Sequence, residues 1–381
     1  MKFLVFGAGL MAEAIVEDLS EQEMVSEILL NDINKENIEN CKRRDKKDKV
    51  RVSNVDVRDI EKLIDFVENE YPDVVINALP QELSVQATEG AIEAGIDVAD
   101  LAFEHEHMNL DEKAKENEVT VIPGCGVAPG LSNMLSGYGV HLLDDTENIS
   151  IEVGGLPVNP KPPLEYRIVF SLESVFMEYT VPAKIVEDGE LKEVEALSGL
   201  RPFETSEIDR ELESFYTFAI TTLPYTFEDI PNMEERTLRY KGHVKKINTL
   251  RECGLLDKEP IEVEGVEISP RKFMIELLTP QITLEEGEKD LTIMRVEVSG
   301  IKDEEEKTYT FDLLDYYSEE NNMTSMARTT GYTGSIVSQL LAQGKIEEKG
   351  IYAPEKIGLD DELFDEVINE LFKRNVNVDG V

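Results

Sequence analysis

The 381-residue chain has no tryptophan, only three cysteines, and 38 Lys plus Arg against 80 Asp plus Glu. Cys41, Cys125 and Cys253 are widely spaced and form no CxxC pair, which argues against a disulfide framework or a cysteine-built zinc site and points to a reducing compartment. The shortage of cations leaves a formal net charge of -42. Such a surface repels phosphate backbones and anionic bilayers, and no basic stripe interleaved with aromatics offsets it, so neither nucleic acid nor membrane is expected as a partner. No apolar run approaches the roughly 18 residues of a membrane span. The opening MKFLVFGAGLMAEAIVEDL is broken by glycines and contains Glu13, so it reads as strand, turn and helix rather than as a signal segment. A cytoplasmic protein is expected. Its acidic residues are spread through segments such as KDEEEK and LDDELFDEV, the distribution of a halophilic chain adapted to a salty cytoplasm. A sharper alternative is steering of a cationic substrate, which salt would screen.

With 41% hydrophobic residues, 24 Gly and 16 Pro, the composition is that of a globular protein, and the length suits two hydrophobic cores. Up to about residue 125, short apolar runs (KFLVF, SEILLND, KVRVSNV, DVVINAL, DVADL, TVIPG) alternate with amphipathic stretches. That alternation specifies βαβ units and an α/β, Rossmann-type doubly wound parallel sheet. After Gly130 the segments lengthen and alternate, as in ISIEVGGLPV, EYRIVFSLESV and MEYTVPAKIVEDGELKEVEAL, which read as a mainly antiparallel sheet with a hairpin turn at Asp188-Gly189. Helices near 242–254 and 270–278 and a β pair near 291–314 complete a central α+β domain. The segment NMTSMARTTGYTGSIVSQLLAQGKI reads as a helix capped by Thr324 or Ser325 that returns to the first domain. The expected division is therefore 1–128 with 322–358 as a discontinuous dinucleotide-binding domain, 129–321 as a substrate and dimerisation domain, and an amphipathic helix over 359–381.

Gly7-Ala8-Gly9-Leu10-Met11-Ala12 is G-x-G-x-x-A directly after a strand and at the opening of a helix. Gly7 permits the tight turn, Gly9 lets backbone approach a diphosphate, and Ala12 lets helix and strand pack closely, so the helix N-terminus can hold the anion. Asp32 ends the second strand, where a carboxylate accepts hydrogen bonds from ribose hydroxyls and repels a 2′-phosphate, so NAD is expected ahead of NADP. Lys35 keeps NADP open. Asp56 and Val57 after the third strand are expected at the adenine, and Asn77, Ala78, Leu79 and Pro80 at the middle of the cofactor. Leu10 and Met11 complete the cofactor-binding set. His105 and His107 in EHEH lack a third convincing ligand and read as a solvated helix start, with no metal expected. Cys125 reads as a small buried residue.

The series GAGLMA, VVINALP, GCGVAPGLSN, GGLP followed by PLEYRIVFS, EYTVPAKIVEDG, EERTLRYKGH and TSMARTTGYTG resembles the saccharopine dehydrogenase-like family, most of all its lysine 6-dehydrogenase branch, from residue 1 to about 345. The resemblance implies a Rossmann domain completed by returning helices, a homodimer, and hydride transfer between nicotinamide and an amine or imine carbon. Saccharopine reductases carry a cysteine just before GGLP where this chain has Val153, which weakens that branch. Oxidising an ε-ammonium, whose ordinary pKa is about 10.4, requires a base, for which Asp100 and His243 are the candidates. Arg239 is the expected clamp for a substrate carboxylate, with Tyr179 and Tyr240 lining the pocket and Arg328 serving substrate or cofactor or anchoring its helix. The expected reaction is NAD-dependent deamination of the L-lysine ε-amine. The alternatives are a saccharopine or carboxynorspermidine reductase and, from another class, a dinucleotide-binding regulator without turnover.

Overall fold

The computed structural model describes residues 1–168, 172–217, 220–285 and 287–381. The first half alternates β1 (Lys2–Phe6), α1 (Leu10–Glu21), β2 (Glu27–Asn31), α2 (Lys35–Lys42), β3 (Val50–Ser53), α3 (Ile60–Glu70), β4 (Val74–Asn77), α4 (Gln81–Glu93), β5 (Val98–Asp100), α5 (Asp111–Glu116) and β6 (Thr120–Ile122). Phe3 through Phe6 are wholly buried, as are Val74, Val75 and Ile76, because helices cover both faces of this sheet. The second half runs through α6 (Leu131–Leu142), β7 (Asp145–Pro157), α7 (Leu172–Glu178), β8 (Ala183–Glu187), β9 (Glu190–Val194), β10 (Arg201–Phe203), β11 (Leu212–Tyr216), α8 (Leu223–Thr226) and β12 (Asn232–Tyr240). It continues with α9 (His243–Glu252), the small hairpin β13 (Ile261–Val263) and β14 (Val266–Ile268), α10 (Pro270–Ile282), β15 (Asp290–Lys302) and β16 (Glu305–Tyr316). The chain ends with α11 (Ser325–Ala342), β17 (Gly350–Ile351), α12 (Glu355–Gly358) and α13 (Asp361–Lys373).

The first sheet is all parallel, in the order β17-β6-β5-β4-β1-β2-β3. The order turns back between β1 and β4, so a crevice opens at the carboxyl ends of those two strands. The second sheet runs β10-β11-β12-β7-β15-β16, with β8 joined to β12 and β9 to β8; β12 lies parallel to β7 and the remaining pairs are antiparallel. Both expected sheets are present. At the β8–β9 turn Asp188 and Gly189 take φ of 55° and 77°, the two left-handed residues of a tight hairpin.

The returning helix is also observed. Thr324 caps α11 by accepting from the Ala327 amide, and a Cβ at Gly331 would stand 2.7 Å from Ala14 Cβ, so α11 lies directly on α1. Buried Asp18 of α1 accepts from Ser335 Oγ at 2.6 Å and from Arg374 Nε at 2.6 Å, which ties α1, α11 and the tail together.

One reading needs correction. EYRIVFSLESV was expected to be an alternating strand; residues 169–171 lie outside the described residues, and Leu172–Glu178 is a helix. Leu172, Val175, Phe176 and Tyr179 recur at i, i+3, i+4 and i+7, and all four are buried in one cluster with Phe215 and Ile247, so the helical stripe governs.

Candidate active site

The β1–α1 turn shows why glycine is needed at its first position. Gly7 has φ +87°, and a Cβ there would lie 2.6 Å from the Ala78 carbonyl oxygen, so any side chain would collide with the end of β4. Gly9 differs. Nothing lies within 4 Å of where its Cβ would stand, and it precedes α1 with no side chain capping the helix. The first amides of α1 therefore open on free space at the positive end of a helix. Asp32, at the tip of β2, accepts from the Ala8 amide at 2.7 Å and from the Asn34 amide at 2.7 Å, which fixes its carboxylate beside the turn.

From this turn a cavity of about 1040 Å³ extends between the two sheets. Gly7, Gly9, Leu10, Met11, Asp32, Ala78, Leu79 and Pro80 line the Rossmann side. Lys35 does not. The other wall is formed by Val153 to Gly155 of β7, Glu178 of α7, Lys184 of β8 and Glu235, Thr237 and Arg239 of β12. The alternation of β12 presents residues 235, 237 and 239 to one face. The uncapped turn, the open space at Gly9 and the tethered carboxylate at Asp32 fit a dinucleotide laid along the Rossmann side.

Arg239 is 3% exposed. Its Nη2 stands 3.5 Å from Glu178 Oε2, its Nε donates to Tyr179 Oη at 3.2 Å, and its guanidinium lies 4.9 Å from the Tyr166 ring centre. Tyr179 Oη is 3.0 Å from His243 Nε2, whose Nδ1 lies 2.9 Å from the Leu164 carbonyl. A carbonyl can only accept, so Nδ1 carries the proton, Nε2 accepts from Tyr179, and the tyrosine oxygen accepts from Arg239. Burial, reinforced by the Arg239 charge, lowers the His243 pKa to about 3. His243 is thus a neutral support behind Arg239, away from the cavity wall. The expectation of a base there is corrected, as is that of Tyr179 in the wall.

Asp100 is corrected too. It is wholly buried, and its Oδ2 accepts from Ser84 Oγ at 2.6 Å, Thr88 Oγ1 at 2.7 Å and Asn77 Nδ2 at 2.8 Å, with His107 Nε2 at 3.2 Å. With these partners and the Ala102 amide on Oδ1, it holds the loop after β5 instead of facing substrate. Asn77 belongs to the same network and lies behind the wall that Ala78 to Pro80 form. His107 is buried within it, not solvated. His105 does line the cavity, with Nε2 3.0 Å from Lys184 Nζ.

Tyr240 follows Arg239 on the strand and so points to the opposite face, where its hydroxyl donates to the Pro157 carbonyl at 2.8 Å among Leu156, Phe203 and Leu291. Arg328 is buried, its Nη1 donating to both carboxylate oxygens of Asp315 at 3.0 and 3.1 Å and its Nη2 to the carbonyls of Arg374 and Asn375; it anchors α11 and does not reach the cavity. Asp56 is half-buried, pairs with Arg58 and lines a separate shallow depression, while Val57 packs in the core, so neither lines the cavity. Cys125 is buried, donating to the Ile122 carbonyl.

Two carboxyl groups were not singled out from the sequence. Glu235 is 4% exposed, and its Oε2 has no hydrogen-bond partner; burial and then the nearby Glu178 charge raise its pKa to about 8. Glu178 is raised to about 7 by burial, against the opposing pull of Arg239. The signal available was E-x-T-x-R in EERTLR, a carboxylate, a hydroxyl and a guanidinium at alternate positions of one strand and so on one face of it.

Residues 3–122 match the saccharopine dehydrogenase NADP binding domain family, and residues 126–376 match the saccharopine dehydrogenase C-terminal domain family. The chain is 25% identical to a carboxynorspermidine synthase of Vibrio alginolyticus over 88% of this chain and 84% of that protein. It is 22% identical to a carboxyaminopropylagmatine dehydrogenase of Synechocystis over 94% and 93%, and 20% identical to an NADP-dependent, L-glutamate-forming saccharopine dehydrogenase of Pyricularia oryzae over 77% and 82%. Its fold matches the saccharopine dehydrogenase (L-Glu forming) of Saccharomyces cerevisiae with a TM-score of 0.80 at 18% identity, across 100% of this chain and 99% of that one.

Proposed function

The chain belongs to the saccharopine dehydrogenase family of NAD(P)-binding oxidoreductases, and from that premise we propose that it acts on a C–N bond of a cationic amino acid, oxidising the L-lysine ε-amine with NAD. The observation that carries this reading is the charge of the cavity wall. Its cations among the described residues are Arg239 and Lys184, outnumbered by the carboxyl groups of Glu104, Glu106, Glu178, Glu193 and Glu235, of which Glu235 ionises on pairing with an ammonium. A substrate with one carboxylate and a distal ammonium is neutralised there, whereas one with three carboxylates is repelled.

The glycine turn and the first amides of α1 would hold the diphosphate, and Asp32 the adenosine ribose. A bound nicotinamide accepts the hydride in oxidation and donates it in reduction. Arg239 would receive the carboxylate, a role supported by its position in the cavity wall and by the Tyr179–His243–Leu164 relay that fixes its guanidinium. NAD is favoured over NADP by the Asp32 charge and by the position of Lys35 away from the cavity wall. The Asp32→Ala variant is expected to lose NAD affinity and to narrow the NAD/NADP preference; an unchanged ratio removes Asp32 from the ribose.

A second reading is reduction of an imine between an amino-acid semialdehyde and a diamine. It is supported by the carboxynorspermidine synthase and the carboxyaminopropylagmatine dehydrogenase, which match over most of the chain. An absorbance assay at 340 nm with lysine, saccharopine and carboxyalkyl diamines, in NAD and NADP, separates the readings. Turnover of saccharopine alone would refute both.

A further inference from the structure

We infer that Glu235 is the acid–base group of the reaction: its carboxylate receives the substrate ammonium and takes one N–H proton before hydride leaves the adjacent carbon. This rests on the reading of the cavity as the site of C–N oxidation or reduction, and it names a group that neither Asp100 nor His243 can replace. Asp100 is saturated by donors behind the wall, and His243 is held neutral by Leu164 and Tyr179.

The geometry is specific. Glu235 shares the cavity face of β12 with Thr237 and Arg239, so a substrate whose carboxylate meets Arg239 extends along the same strand face past Glu235. Positions 235 and 239 are four apart, roughly 13 Å along an extended strand, a span to be bridged by the substrate together with both side chains. Glu235 is 4% exposed and its Oε2 has no partner, an arrangement that costs stability unless a cation arrives to satisfy it. The other charged groups around it are committed. Glu178 on α7 faces Arg239, and Lys184 on β8 turns to His105 on the opposite loop. Burial, and then the like charge of Glu178 beside it, keep Glu235 protonated near neutrality in the empty site.

The step balances without a further reactant. In the empty site Glu235 is the neutral acid. An incoming ammonium releases that proton to solvent and pairs with the carboxylate. The carboxylate then takes one proton from nitrogen. A bound oxidised nicotinamide would take the C–H electron pair as hydride while the nitrogen lone pair forms the C=N bond, leaving an iminium ion and the reduced cofactor. In the reverse direction Glu235 returns the proton to nitrogen as hydride reaches carbon, so both substrate readings use the same group.

The test is calorimetric titration of L-lysine and of 1,4-diaminobutane into the full chain with NADH present, at pH 7 in buffers of different ionisation enthalpy. Wild type is expected to release up to about one proton per amine bound, less as pH rises past about 8, and Glu235→Gln to release none. Gln is isosteric with the neutral acid, and a thermal melt checks its folding. In turnover, kcat/KM for oxidation should rise with pH through about 8 in wild type, a limb that Glu235→Gln loses together with roughly 10²–10⁴-fold in rate. Absence of amine binding, or equal proton release and an unchanged pH limb in the variant, overturns the assignment. Glu235-dependent proton release with no turnover of any amine instead sinks the oxidoreductase reading and leaves the subsite standing.

Discussion

At the scale of single residues, the site is organised by parity and by burial. Arg239 and Tyr240 are neighbours in sequence, yet one lines the cavity and the other packs under Pro157, because successive residues of a strand face opposite ways. The motif ERTLRYKGH marked the right segment, but without the strand boundaries it could not say which of its polar residues share a face. Arg239→Ala is therefore expected to raise KM for the amino-acid substrate at least tenfold with little change in NADH affinity, whereas Tyr240→Phe should leave KM within about twofold. Equal effects would mean that Arg239 does not meet the substrate. His243 yields a prediction of a different kind. Its folded pKa of about 3 lies below the ordinary value near 6.5, so between those values the unfolded chain binds the extra proton and stability falls as pH falls. His243→Gln should remove up to about 1.4 kcal/mol per pH unit of that slope between pH 6 and 4, read from urea melts of both proteins. A variant with the same slope would show that His243 is charged in the folded protein.

At the scale of elements, the Rossmann half was legible because each signal is local: an apolar run, a glycine turn, a carboxylate at the next strand tip. The second half was less so. Helix α7 carries a stripe that only three-dimensional packing distinguishes from alternation, and β12, polar on both faces, lacks the apolar alternation that marks a strand in sequence. The two missed carboxyl groups lie on these elements. The return of α11 was legible from its cap and spacing, and its contact with α1 has a mechanical consequence. Gly331 lies against Ala14 and the Met11 carbonyl, at 2.7 Å from each for an added Cβ, and α1 begins at the cofactor turn. Gly331→Ala should therefore push the two helices apart, lowering stability by roughly 1–3 kcal/mol and weakening NADH binding at the same time. Calorimetric melting and NADH fluorescence titration check both; lost stability with unchanged NADH affinity would separate the helix contact from the turn.

At the scale of the whole molecule, the same charge acts twice and with opposite sign in salt. A formal charge of -42 spread over the surface repels itself, and screening that repulsion stabilises the compact state. The Debye length falls from about 10 Å at 0.1 M to about 3 Å at 1 M, so the melting temperature should rise over that interval in KCl and then level off. A rise that appears in sulfate but not in chloride would assign the effect to exclusion of the salt from the surface instead. The acidic cavity wall draws a cationic amine toward the site, and that attraction is screened by the same ions. Hence kcat/KM for lysine should fall over the interval in which stability rises, with kcat at saturating lysine changing much less. If kcat/KM rises in parallel with the melting temperature, the wall does not steer substrate, and the acidic surface serves only to keep the chain folded in salt.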